Sequence, residues 1–355
     1  MKFVLMLAGS LLGLAIGYIP RRLHLPRPSW WRIIAILSVA VVVVLAIFPP
    51  LAGSTIDAVI QHRADSTKSV PVLIRATQLQ ASPDEQGTFL LPAEDARVAK
   101  RPIMLRAYQP VLDAIAAAGE NVPVVVRVRR AESDLVFQAD EVVAVDPVVT
   151  LPYIMGLEER SRILFFHVPM SWIATIAYLL SMIYGVSYLR KRTIESDDIS
   201  VAMASVGTLY AILATLTGAV WAKFNWGSFW NWDPRQTSIF ILLLIYGAYF
   251  LLRSSIEDRA RRARLSSAYA IVAFATVPFL VFVLPRLLPG LHPGSADDST
   301  AGPLLSLTSD SLNSTKQVIY SIALFAFTLV FFWLANLRIR TERAMRMTRV
   351  SEDPS

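Results

Sequence analysis

The segment WGSFWNWDPRQTS, residues 226–238, carries three tryptophans within seven residues: Trp226, Trp230 and Trp232. Trp221 lies just upstream, Asp233, Pro234 and Arg235 follow directly, and long apolar runs flank the whole. Tryptophans where a helix meets water commonly form an interfacial belt. Asp233, Pro234 and Gln236 read as N-cap, N1 and N3 of the next helix, a capping-box-like arrangement. A belt does not need this density. Tryptophans packed so closely offer a broad apolar surface on which a large planar ligand can stack. The positive N-terminus of the next helix, with Arg235, would then meet the ligand's carboxylates. The competing reading has Arg235 facing lipid headgroups.

The four histidines narrow the choice of ligand. His24 lies in a basic loop and His62 just beyond an apolar run, and both read as solvated residues. His167, in FFHVPMSW, opens one apolar run, and His292, in LPGLHPGS, follows another. The topology derived below places both on the tryptophans' membrane face. Two imidazoles flanking an aromatic surface fit the axial positions of a haem iron. His167 and His292 are therefore the candidate metal ligands, from opposite sides of the ring. The chain has no cysteine, which excludes disulfides, thiolate metal sites and haem attached through cysteine.

What positions these residues is a membrane. The 355-residue chain is 54% hydrophobic and only 17% charged, with a mean hydropathy of +0.49. Apolar runs near the roughly 20 residues needed to cross a bilayer fall at 3–19, 33–49, 163–188, 200–222, 236–252, 267–288 and 317–337. Residues 3–19 lack a following A-x-A-like site and read as an uncleaved helix rather than a signal peptide. The pI of 9.7 does not point to nucleic acid, because the basic residues cluster beside apolar runs. Arg-rich connections at 21–32, 190–192 and 253–264, and the tail at 338–349, all belong in the cytoplasm by the positive-inside rule. The N-terminus, the 51–160 segment, the Trp-rich loop and the 289–316 loop then lie outside. Trp30 and Trp31 suit the interface.

Residues 51–160 turn polar and suffice for a small domain. VPVLIRATQL (70–79), VPVVVRVRR (122–130) and DLVFQADEVVAV (134–145) read as strands, and residues 107–118 as a helix. The expectation is an all-α polytopic membrane protein of about seven transmembrane helices, with an inserted small β-rich extracytoplasmic domain.

WGSFWNWDPRQTS resembles the tryptophan-rich "WWD" signature of haem-handling proteins. FFHVPMSW and LHPGS resemble the flanking histidine segments of the CcmC family of cytochrome c maturation system I. The resemblance covers residues 33–50 and 151–340. It implies that the WWD segment and two periplasmic histidines hold haem b non-covalently, at a bacterial inner membrane, for transfer to the haem chaperone CcmE. It also implies work beside the ABC-type subunits CcmA and CcmB, with CcmD as a possible small partner. The site residues carried over are His167, His292, Trp226, Trp230, Trp232, Asp233 and Arg235. In these terms, 1–32 is an extra helix with its basic loop and 33–50 the first family span. The insert is 51–150, the haem-handling domain 151–340 and the cytoplasmic tail 341–355. The chain departs from the family in the extra helix and in the insert. The end of the insert, residues 122–145, resembles the last strands of the OB-fold chaperone CcmE but lacks its haem-attaching histidine. No bond-making chemistry is visible, so the chain reads as a carrier and not an enzyme. Two alternatives are a CcsA-type cytochrome c synthase, which would bring more spans, and a haem transporter, which would show internal repeats.

Overall fold

The computed structural model describes residues 2–19, 23–47, 56–61, 69–83, 87–96, 102–131, 136–146, 162–292, 294–296 and 314–352. The chain forms two compact units, Met1–Val44 with Arg162–Ser355, and Leu45–Ser161. Its elements in order are α1 (Lys2–Gly17), α2 (Ser29–Ile47), α3 (Ile56–Gln61), β1 (Val70–Ala76), β2 (Ser82–Pro83), β3 (Phe89–Asp95), β4 (Pro102–Ala107), α4 (Gln109–Ala118), β5 (Pro123–Arg130) and β6 (Val136–Val145). There follow α5 (Leu164–Lys191), α6 (Ile194–Trp226), α7 (Pro234–Ser254), α8 (Arg259–Pro278), a π-helical turn (Phe279–Val283), α9 (Leu284–Leu287) and α10 (Ser314–Glu352).

Among the described residues, six helical stretches are long and apolar enough to cross a membrane, which makes the chain a polytopic membrane protein. They are Ser29–Ala46, Leu164–Lys191, Ile194–Trp226, Pro234–Ser254, Arg259–Leu287 and Val318–Ala344. The expected seventh, α1, has 16 residues, about 24 Å at the helical rise and short of a hydrocarbon core about 30 Å thick. It packs tightly all the same. A Cβ on Gly9, Gly13 or Gly17 would collide with Ser321, Thr328 or Phe332 of α10, so these small residues let two backbones close on each other. The Gly9 amide donates to Ser321 Oγ (3.1 Å), and Trp172 Nε1 of α5 donates to Ser10 Oγ (3.2 Å).

Trp31 is not an interfacial anchor. It is fully buried against Trp333, and its Nε1 donates to the Ile16 carbonyl, while Trp30 stays exposed. His24 is not simply solvated either: its Nδ1 lies 3.0 Å from Glu195 in the first turn of α6. That turn gathers charge from several elements. Arg253 of α7 makes a bidentate pair with Asp197 (2.7 and 3.1 Å), and Arg259 of α8 lies 3.8 Å from Asp198. Removing one partner of the buried Arg253–Asp197 pair costs about 3–5 kcal/mol, because the other charge is left without compensation. The Arg-rich tail does not end with the membrane span. α10 continues to Glu352, helped by an Arg338–Glu342 pair one turn apart (2.7 Å). His62 lies outside the described residues.

The second unit is a closed barrel. Its strands run β1-β5-β6-β4-β3, with β1 pairing back onto β3 and β2 extending the β3 edge. The β4–β6 pair is parallel and the others antiparallel. Five barrel strands in this order, with a helix between the third and fourth, are the topology of an OB-fold. The interior is filled from alternating positions such as Val72, Ile74, Leu91, Leu105, Val126 and Phe137. The expected strands at β1, β5 and β6 and the helix at α4 are present. Strands β3 and β4 were not expected from the sequence, because Pro92 interrupts the first and Pro102 opens the second.

Candidate functional site

The site sits where α5 and α7 begin and α6 and α9 end. His167 lies in the first turns of α5. Its Nδ1 is 2.9 Å from the Ala214 carbonyl of α6 and 3.3 Å from Thr217 Oγ1. A carbonyl only accepts, so Nδ1 carries the proton and Nε2 of the neutral ring keeps its lone pair. Gly218 makes this seat possible: a Cβ there would stand 2.7 Å from His167 Cε1.

α6 ends at Trp226, with Gly227 left-handed at φ 81° and its amide donating to the Lys223 carbonyl. The loop then folds on itself. The Asn231 amide donates to Gln236 Oε1 (2.8 Å), Gln236 Nε2 to the Phe229 carbonyl (3.3 Å), and Thr237 Oγ1 to the Trp232 carbonyl (3.2 Å). Trp232 is held at φ 53°, a conformation uncommon for a bulky residue. Asp233 caps α7 with Pro234 at N1, as expected, and its Oδ1 accepts from the Arg235 amide (2.9 Å). The capping box does not close. Gln236 reaches back to Asn231, two residues before the cap, because its amide is needed to tie down the loop.

Asp233 does more than cap. Oδ2 accepts from the Leu291 amide (2.7 Å) and Oδ1 from His292 Nδ1 (2.7 Å). Gly290 permits this approach, since a Cβ there would lie 2.8 Å from Asp233 Oδ2. The Ser295 hydroxyl lies 2.8 Å and 2.9 Å from the Gly290 and His292 carbonyls and closes the turn. Burial raises the Asp233 pKa, but the hydrogen bond and charge of His292 and the two backbone amides outweigh it, holding the carboxyl at about 2. Burial lowers the His292 pKa, more than its bond to Asp233 raises it. At neutral pH the pair is therefore a carboxylate and a neutral imidazole protonated at Nδ1. A carboxylate that fixes a histidine tautomer and leaves Nε2 basic is the usual support for a metal ligand.

The two histidines thus share one chemistry, each with Nδ1 engaged and Nε2 a free base, and they lie close enough for charges on them to interact. Arg235 is close enough to act electrostatically on both. The rings fall into two sets. Trp221 stacks on His292 (5.6 Å, 29°) and Trp226 meets it edge-on (4.6 Å, 76°). Trp230 packs edge-on against Trp232 (5.7 Å) and Phe240 (6.3 Å), and Trp232 is 69% exposed. Trp221, Gly218 and Gly290 were not singled out as site residues from the sequence. The turn that carries His292 follows a π-helical segment in which the Leu284 amide bonds Phe279, five residues back. Such segments re-aim the residues after them and recur at functional sites.

No cluster of three or more His, Cys, Asp or Glu side chains able to hold a bare metal ion occurs among the described residues. Two imidazoles suit an iron whose other ligands come from a porphyrin.

Residues 140–353 match the model of a family described as CcmC, heme exporter protein C. Heme exporter protein C of Bradyrhizobium diazoefficiens is 28% identical over 188 residues, 53% of this chain and 68% of that protein. Its namesake from Paracoccus denitrificans is 29% identical over 192 residues, 54% of this chain and 75% of that protein. Cytochrome c biogenesis protein CcsA of Spinacia oleracea is 34% identical over 110 residues, 31% of this chain and 33% of that protein.

Proposed function

The chain belongs to the heme exporter protein C family, and from that premise we propose that it binds haem b non-covalently and hands it to a CcmE-like haem chaperone in c-type cytochrome maturation. The single observation that carries this reading is the pair of histidines with both Nδ1 atoms engaged and both Nε2 atoms free. Haem is cargo here, and its iron takes His167 and His292 as axial ligands. Trp226 borders the His292 side, and Trp230 and Trp232 extend the aromatic surface at the loop. Asp233 orients His292 and caps α7. Arg235 faces a propionate. The chain itself makes and breaks no covalent bond. CcmA, CcmB and CcmD are the partners this role calls for. The likeness to CcsA covers about a third of either chain, so attachment of haem to an apocytochrome is the second reading. Co-expression with a CcmE-like acceptor and the ABC subunits decides between them: delivery predicts haem on the acceptor, whereas haem appearing on an apocytochrome without the acceptor favours attachment.

The site and the barrel belong on the periplasmic side of the inner membrane in this reading. The support is the clustering of Arg at the opposite helix ends, at 190–192 and 253–264. A reporter active only in the periplasm, fused at Glu120, is expected to score positive, and one at Glu257 negative. The reverse pattern inverts the topology.

A further inference from the structure

Neither histidine stands on a stretch of uninterrupted α-helical bonding. Pro169 follows His167 closely in α5 and has no N–H to return to the Phe165 carbonyl. His292 comes after the π-helical turn Phe279–Val283 and α9, where Pro285 breaks the ladder in the same way. The separation of the two imidazoles therefore depends on what ties the first turns of α5 to the π-helical turn. Trp172 makes that tie. It stands on α5, about 7.5 Å along the axis from His167 at the helical rise. Its ring meets Phe282 of the π-helical turn edge-on (6.3 Å, 70°), and its Nε1 donates to Ser10 Oγ of α1 (3.2 Å). Ser10 is buried. α1 itself is seated on α10, where Gly9 and Gly13 close onto Ser321 and Thr328. α1 lies outside residues 140–353, which match the family, while both histidines lie inside them.

We propose that Trp172 is a positioning residue that sets the separation of the two iron ligands, with α1 as the brace that holds it. This rests on the haem reading, in which His167 and His292 must reach one iron from opposite sides. Metal–ligand bonds keep their lengths within about 0.2 Å, so the tie between the elements that carry the ligands decides whether both bonds form. The Phe282 contact fixes the π-helical turn to α5. The Ser10 bond fixes the Trp172 ring in the rotation that makes this contact, and through it α1 acts on the site.

The test is a haem titration of the purified full chain in detergent, followed by electron paramagnetic resonance of the ferric complex. Ser10→Ala and Trp172→Phe each remove the bond between α1 and α5, the second while keeping an aromatic ring against Phe282. Each is expected to weaken haem binding about fivefold, the scale of one neutral hydrogen bond, and to turn part of the low-spin signal high-spin. Because both break the same bond, the double variant should bind no worse than the weaker single. Trp31→Phe is the control. It removes a bond of the same kind, from Trp31 Nε1 to the Ile16 carbonyl near the other end of α1, and should keep the wild-type signal. Binding within about twofold of wild type and an unchanged signal in both Ser10→Ala and Trp172→Phe overturn the positioning role. An equal spectral change in Trp31→Phe also overturns it, since α1 would then give only general support. A wild type without a bis-histidine signal brings down the haem reading and the positioning role with it. A wild type with that signal and silent Ser10 and Trp172 variants brings down the positioning role alone.

Discussion

The double variant His167→Ala/His292→Ala is expected to retain almost no haem after purification, while still inserting and expressing. Each imidazole presents a basic Nε2 because its other nitrogen is held, by the Ala214 carbonyl in one case and by Asp233 in the other. Removing the supporting bond alone costs a metal ligand about 10–100-fold in affinity, so removing the ring should cost at least as much. The single variants are expected to bind with altered spectra, since one axial ligand remains. His167→Ala also vacates the space that Gly218 keeps open. His292→Ala leaves Asp233 still bonded to two backbone amides, so the α7 cap survives and a loss of haem is not a loss of fold. Haem content per protein, measured with expression level, checks this.

The triple variant Trp226→Leu/Trp230→Leu/Trp232→Leu should fail to deliver haem. Leucine keeps apolar character, so an interfacial anchor would tolerate the change. Aromatic packing contributes about 0.5–1.5 kcal/mol per pair beyond area, and three losses together amount to roughly a hundredfold in affinity. The structure ranks the single changes. Trp226 touches His292, whereas Trp232 is largely exposed, so Trp226→Leu should exceed Trp232→Leu. The readout is holo-acceptor formed in cells. A triple variant that matures c-type cytochromes at the normal level returns these tryptophans to an interfacial role.

Hydropathy made the six long spans legible, because a bilayer demands unbroken apolar length. It placed helix ends less well. α8 begins at Arg259, eight residues before the apolar run, since Asp258 caps a basic turn that hydropathy discounts. Of the barrel, three strands were readable from their β-branched runs, while Pro92 hid β3. At the site, residue types and spacing singled out both histidines, the tryptophans and the local cap at Asp233. They could not show that Asp233 reaches Leu291 and His292, 58 and 59 residues away. Nor could they give the roles of Gly218 and Gly290, which exist only as missing Cβ atoms against residues far along the chain. His24 read as solvated for the same reason: its partner Glu195 is 171 residues distant.

Ligation of the iron by both His167 and His292 is the claim on which the rest depends. Electron paramagnetic resonance of the ferric complex, recorded for the purified wild type and for each single alanine variant, tests it most directly. The account predicts a low-spin, bis-histidine signal in the wild type, converted to high spin in both His167→Ala and His292→Ala. A wild-type signal unchanged in either variant would contradict it.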